Sequence, residues 1–77
     1  MAKVSIYSTP TCMYCKLAKD FFDAHDVKYE EFDVASDLVK REDMISRSGQ
    51  RGVPVIEIDG KMIVGFDQNA LSEALGI

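Results

Sequence analysis

An α/β domain is predicted, with a four-stranded mixed sheet and three helices in the order β-α-β-α-β-β-α. Three observations predict it. First, a short β-branched run at "KVSIYS" changes to helical spacing at Tyr14 and back to strand-like alternation at Val27, which makes a βαβ unit with parallel strands and a right-handed crossover. Second, two apolar runs flank Asp59-Gly60, as an antiparallel hairpin requires. Third, Ser36-Asp37 and Asp67 stand where helix caps belong, each ahead of a further helical stretch. Helices on both faces of the sheet then cover its apolar residues. A chain of 77 residues is expected to make one domain, residues 1–77.

Each element follows from its residues. Lys3–Ser8 is short, β-branched and aromatic, and ends at turn residues, so it reads as a buried strand. From Tyr14, the residues Leu17, Ala18, Phe21, Phe22 and His25 recur at helical spacing, and this helix should stop near Asp26. Val27–Val34 alternates and reads as the second strand. "DLVKREDMISRSG" reads as the second helix, with Leu38, Arg41 and Ile45 as its inner stripe, Gly49 as its stop, and Lys40 to Asp43 as a solvated face. In the hairpin, Asp59-Gly60 suits a type I′ turn, whose two central residues both need positive φ. The last helix carries Ala70, Leu71, Ala74 and Leu75 behind Asp67. Tyr7, Phe21 and Phe22 are expected in the core, and His25 at a helix end suits the C-terminal dipole.

Composition narrows the function. With 47% hydrophobic and 29% charged residues, the chain belongs with ordinary globular domains. No apolar run approaches the roughly 20 residues of a membrane span, and "MAKVSIYS" lacks a signal-type apolar region, so a cytoplasmic protein with no membrane partner is expected. A net charge of −4 with dispersed Lys and Arg argues against nucleic acid. Two cysteines are too few for a secreted disulfide scaffold.

Those cysteines are Cys12 and Cys15, three residues apart where strand gives way to helix. In a first helical turn, i and i+3 side chains share a face, with Cβ atoms about 5–6 Å apart. A disulfide needs about 3.5–4.5 Å, so a small adjustment makes and breaks the bond. The first turn also holds unpaired N–H groups and the positive end of the helix dipole, which favour a thiolate at Cys12. Cys12, nearer the tip, is then the attacking sulfur and Cys15 the resolving one, with Lys16 and Lys19 adding weak positive potential. A structural zinc site takes four Cys or His ligands; two Cys and the distant His25 argue against one, and no metal is expected. Two inert buried cysteines remain the bland alternative, against which CxxC inside a βαβ pattern is a specific redox signal.

Three segments in order resemble the glutaredoxins of the thioredoxin-fold superfamily: "IYSTPTCMYCKLAK", "SGQRGVPVIEIDG" and "VGFDQNAL". The resemblance covers nearly the whole chain. It implies a thioredoxin fold and a dithiol–disulfide oxidoreductase with Cys12 as nucleophile and Cys15 as resolving thiol. It also implies a glutathione-like substrate held by Tyr14, by Val53 and a cis Pro54, and by Gly65 and Asp67. No bound cofactor is implied; glutathione is the co-substrate, disulfide-containing proteins are the substrates, and a monomer is expected. The chain departs from the family pattern at Met13, where many members have Pro, and at Gly52, where Thr is common. It has Ser8, Thr9 and Pro10 where a carboxylate-binding Lys often stands, so a lysine at Ser8 is expected to strengthen glutathione binding. Phe66 resembles a second branch, redoxins reduced by thioredoxin reductase that serve ribonucleotide reductase. A third possibility from the same resemblance is a dimer holding an iron–sulfur cluster through its Cys12 thiolates.

Overall fold

The computed structural model describes residues 3–77. Its elements are β1 (Val4–Ser8), α1 (Met13–Ala24), β2 (Glu30–Asp33), α2 (Leu38–Ser48), β3 (Val55–Ile58), β4 (Lys61–Val64) and α3 (Gln68–Leu75). The sheet order is β2-β1-β3-β4. β1 and β2 are parallel, while β1–β3 and β3–β4 are antiparallel. This is the mixed four-stranded sheet of the thioredoxin fold.

The two-residue period of the strands divides the core between two faces. Val4 and Ile6 of β1, Ile56 and Ile58 of β3, and Ile63 of β4 pack against Ala18, Phe21 and Phe22 of α1 and Leu71 of α3. Tyr7 and Val55 point the other way and meet Val34 and Met44. Tyr7, Phe21 and Phe22 are thus in the core, as expected.

Local chemistry explains where elements stop. α1 ends because Asp26 adopts φ 55°, and Val27 N–H bonds back to Phe22 O at 2.8 Å. Asp tolerates this left-handed conformation better than most residues. His25 sits at the cap, its Nδ1 2.9 Å from Phe21 O. Asp37 accepts a hydrogen bond from Lys40 N–H at 3.1 Å and opens α2, which Gly49 closes at φ 75°. Asp59 and Gly60 both have positive φ, as the hairpin turn required.

Three expectations change. β2 is four residues long instead of Val27–Val34, because it is an edge strand paired only with β1 from Glu30 on; Val27 and Tyr29 pack on the core without pairing. The inner residue of α2 is Met44, with Ile45 half-buried beside it; Leu38 is 66% exposed and Arg41 is exposed as well. The cause is the placement of α2, which meets the sheet through the turn around Met44 and lets its first turn overhang. Nor are Lys40 to Asp43 simply solvated. Lys40 Nζ lies 4.3 Å from the Phe32 ring centre, and Tyr7 Oη donates to Asp43 at 3.2 Å. Arg47 pairs with Glu57 through both terminal guanidinium nitrogens, beside the same tyrosine.

Candidate active site

Register brings the three sequence motifs to one end of the sheet. Tyr7 pairs with Val55, and Val55 with Val64. The chain leaving β1 toward Cys12, the chain entering β3 through Pro54 and the chain leaving β4 through Gly65 therefore emerge together. Gly65 N–H donates to Pro54 O at 2.8 Å and ties the second segment to the third. The Val53–Pro54 bond is cis, and Gly65 has φ 80°, where a side chain would be strained.

Cys12 is the N-cap of α1, with extended backbone angles. Its Sγ accepts the Cys15 N–H at 3.1 Å, the role a capping oxygen usually fills. Met13 and Tyr14 follow at the tip, 74% and 62% exposed, so Tyr14 stands on the rim. Cys12 is partly accessible, Cys15 is fully buried, and both are free thiols.

Burial pushes the Cys15 thiol up to about 12, and the hydrogen bond with Cys12 adds to this; the Thr9 backbone and Lys19 act in the opposite direction. The unfolded thiol ionises near 9.0, so between these values the folded chain keeps a proton that the unfolded chain has lost. Stability therefore falls as pH rises above about 9, by at most roughly 1.4 kcal/mol per pH unit from this group. Urea unfolding of the reduced protein should show that alkaline loss, and Cys15→Ala should flatten it. Tyr7 and Tyr29, both raised first by burial, contribute equally to the two proteins. Equal slopes would contradict the assignment to Cys15.

Three sets of contacts near the site were not read from the sequence, although it had named Ser8, Lys16 and Lys19 for other roles. Ser8 is buried and donates to Glu31 Oε2 at 3.0 Å, while Lys19 Nζ reaches the same oxygen at 2.7 Å. The hydrogen bond from Lys19 lowers the Glu31 pKa and raises that of Lys19. Strand alternation was the available signal, since Glu31 pairs with Ile6 and shares its face. Because Ser8 is enclosed here, a lysine at this position would have to leave a buried site, contrary to the expectation that it faces a ligand. Lys16 pairs with Asp20 at 2.9 Å, directed along its own helix. The third feature is the side chain of Gln50, which bonds both backbone groups of Gly52.

Asp67 caps α3, accepting from Ala70 N–H at 3.1 Å, and remains exposed. Cys12, Tyr14, Val53, Pro54, Gly65 and Asp67 are thus on segments that converge at one end of the sheet. Among the described residues no group of three or more His, Cys, Asp or Glu is placed to hold a metal ion, and no helix is long and apolar enough to cross a membrane.

A sequence model of the glutaredoxin family matches residues 4–63. The chain is 43% identical over 72 residues to an uncharacterized glutaredoxin-like 8.6 kDa protein in the rubredoxin operon of Clostridium pasteurianum, covering 94% of this chain and 96% of that one. It is 41% identical over 76 residues to glutaredoxin 3 of Escherichia coli, covering 99% and 92%. Among solved structures, a mutant of the thioredoxin-like protein BC3987 superposes with a TM-score of 0.92 at 34% identity, covering 100% of this chain and 99% of the other. With its paired cysteines at the start of α1 and its thioredoxin fold, the chain belongs to the glutaredoxin family of thiol–disulfide oxidoreductases.

Proposed function

We propose that this chain reduces disulfides by a dithiol route, with Cys12 as nucleophile, Cys15 as resolving thiol and glutathione as electron donor. The observation that carries the reading is the contrast between the sulfurs: Cys12 is accessible and faces a backbone donor, whereas Cys15 is sealed beneath it. The Cys12 thiolate attacks a substrate disulfide, whose S–S bond breaks. One substrate sulfur bonds Cys12, and the other leaves as a thiolate and takes up a proton. Once Cys12 is in a mixed disulfide, its hydrogen bond and negative charge no longer oppose ionisation of Cys15. Burial still does, with the Thr9 backbone and Lys19 acting against it. Cys15 then loses its proton and attacks Cys12 Sγ, closing the Cys12–Cys15 bond and expelling the second substrate thiol. Two glutathione thiols reopen that bond and leave as glutathione disulfide.

Glutathione suits the rim. Val53 offers peptide groups to an extended ligand, as an added strand would. Gly65 leaves space beside it, and Asp67 at the start of α3 supplies a carboxylate for the α-amino end. Arg51, exposed two residues before Val53, is the nearby cation for a ligand carboxylate, since Lys16 is paired with Asp20. No bound metal or organic group is required.

The test is turnover of a glutathionylated peptide with glutathione and glutathione reductase, run beside the same assay with thioredoxin reductase. Glutathione should support turnover. Asp67→Asn keeps a good helix cap but removes the charge, and should raise the KM for the glutathione-bearing substrate by roughly 10-fold or more, the loss of one charge-assisted contact. Turnover with thioredoxin reductase alone would overturn glutathione as the donor. An anaerobically purified protein that is coloured and dimeric would favour the cluster-binding reading instead.

A further inference from the structure

We infer that Gln50 is a positioning residue for substrate, holding the backbone of Gly52 so that the adjacent Val53 is presented to the site. Gln50 lies in the short segment between α2 and β3. Its Oε1 accepts the Gly52 N–H, and its Nε2 donates to Gly52 O at 3.0 Å. One side-chain amide thus satisfies both polar groups of one peptide residue, as a neighbouring strand would. The segment is also anchored to α2. Ser48 Oγ donates to Met44 O at 2.6 Å, and Gln50 Nε2 lies 3.5 Å from that hydroxyl oxygen. The result is a polar brace from the end of α2 to the residue before Val53.

The brace accounts for glycine at position 52. A Cβ built there would stand 2.8 Å from Gln50 Oε1 and meet nothing else closer than 3.9 Å, also on Gln50. Gly52 lies outside the positive-φ residues, so its backbone tolerates a side chain. Alanine at this position should displace the glutamine amide and meet no other group. Gln50 and Gly52 therefore form a coupled pair. An exposed loop residue without the brace loses two hydrogen bonds and samples more conformations before substrate arrives, and ordering it then weakens binding.

This inference rests on the reading that Val53 pairs with substrate, and the experiment separates the two. Amide hydrogen exchange by NMR reads the brace directly. Gly52 N–H should be protected in the parent protein and should exchange faster in Gln50→Ala. In the glutathionylated-peptide assay, Gln50→Ala should raise KM about three- to tenfold with kcat retained. The rate of Cys12 alkylation should not change. Gln50→Glu keeps the acceptor for the Gly52 N–H and loses the donor, so it should fall between the two. Gly52→Ala should match Gln50→Ala, and the double variant should be no worse than either alone. Unchanged exchange at Gly52, or additive KM effects in the double variant, would overturn the brace. Faster exchange with an unchanged KM would overturn the positioning role; if Asp67→Asn still raises KM, the groove stands without Gln50. If neither variant moves KM, the groove itself is wrong.

Discussion

Cys12→Ser should be devoid of disulfide reductase activity, and Cys15→Ser should instead halt after the first exchange, accumulating a stable mixed disulfide through Cys12. The difference follows from access. Of the two residues only Cys12 is partly accessible, and it occupies the N-cap, where the Cys15 N–H points at it. Serine has no comparable thiolate chemistry, so replacing Cys12 removes the step on which the others depend. Replacing Cys15 leaves that step intact and removes the internal thiol that would release the product. Mass spectrometry after mixing with glutathione disulfide reads both outcomes as a glutathione adduct on Cys15→Ser and none on Cys12→Ser. The reverse pattern would exchange the two roles. Labelling the reduced parent protein with iodoacetamide near neutral pH should modify Cys12 first, because the Cys15 thiol is both buried and held protonated.

Phe22→Ala should lose about 3–5 kcal/mol of stability, the usual cost of emptying a fully buried aromatic site. A chain of 77 residues typically has only about 4–12 kcal/mol in total. Phe22 is fully buried on the face of the sheet shared by α1 and α3, with ring centres of Tyr29 and Phe21 at 5.4 and 6.1 Å. Its loss loosens α1, so activity should fall with the folded fraction. Urea unfolding should show an early midpoint or no folded baseline. Val39→Ala, at a site 79% exposed on the overhanging turn of α2, should stay within about 0.5 kcal/mol of the parent. A loss at Val39 comparable to that at Phe22 would mean that the first turn of α2 is covered in solution.

Much of the fold was legible because local signals and burial agreed. Asp37, Gly49, Asp59-Gly60 and Asp67 each mark a backbone event that depends on few neighbours, and each occurs where the sequence places it. Ala18, Phe21 and Phe22 of α1 repeat at the helical period and are buried, so the centre of that face could be read directly, whereas Leu17 in the same run is exposed; β1 was legible as a strand buried along its whole length. α2 was read less well. Its stripe is thin, and which residue turns inward depends on where the helix crosses the sheet, which selected Met44 over Leu38. β2 was read too long because pairing needs a partner, and β1 meets it only from Glu30.

The site divides in the same way. By itself, the sequence determined the chemistry. A CxxC pair at the boundary between a strand and a helix specifies two sulfurs within reach of one bond and near a helix N-terminus, and these are properties of spacing and backbone. What sets the two sulfurs apart is the tertiary structure. Packing of α1 on the sheet buries Cys15 and leaves Cys12 at the edge, and burial makes one thiol hard to ionise. Only the strand register could bring Pro54 and Gly65 to the same end of the sheet as the cysteine segment, because they lie some forty and fifty residues further along the chain. The tertiary structure also set the partners of Ser8 and Gln50. Hydrogen bonds between side chains and distant or turning backbone have no period in the sequence, and they form only where the folded chain brings donor and acceptor within about 3 Å.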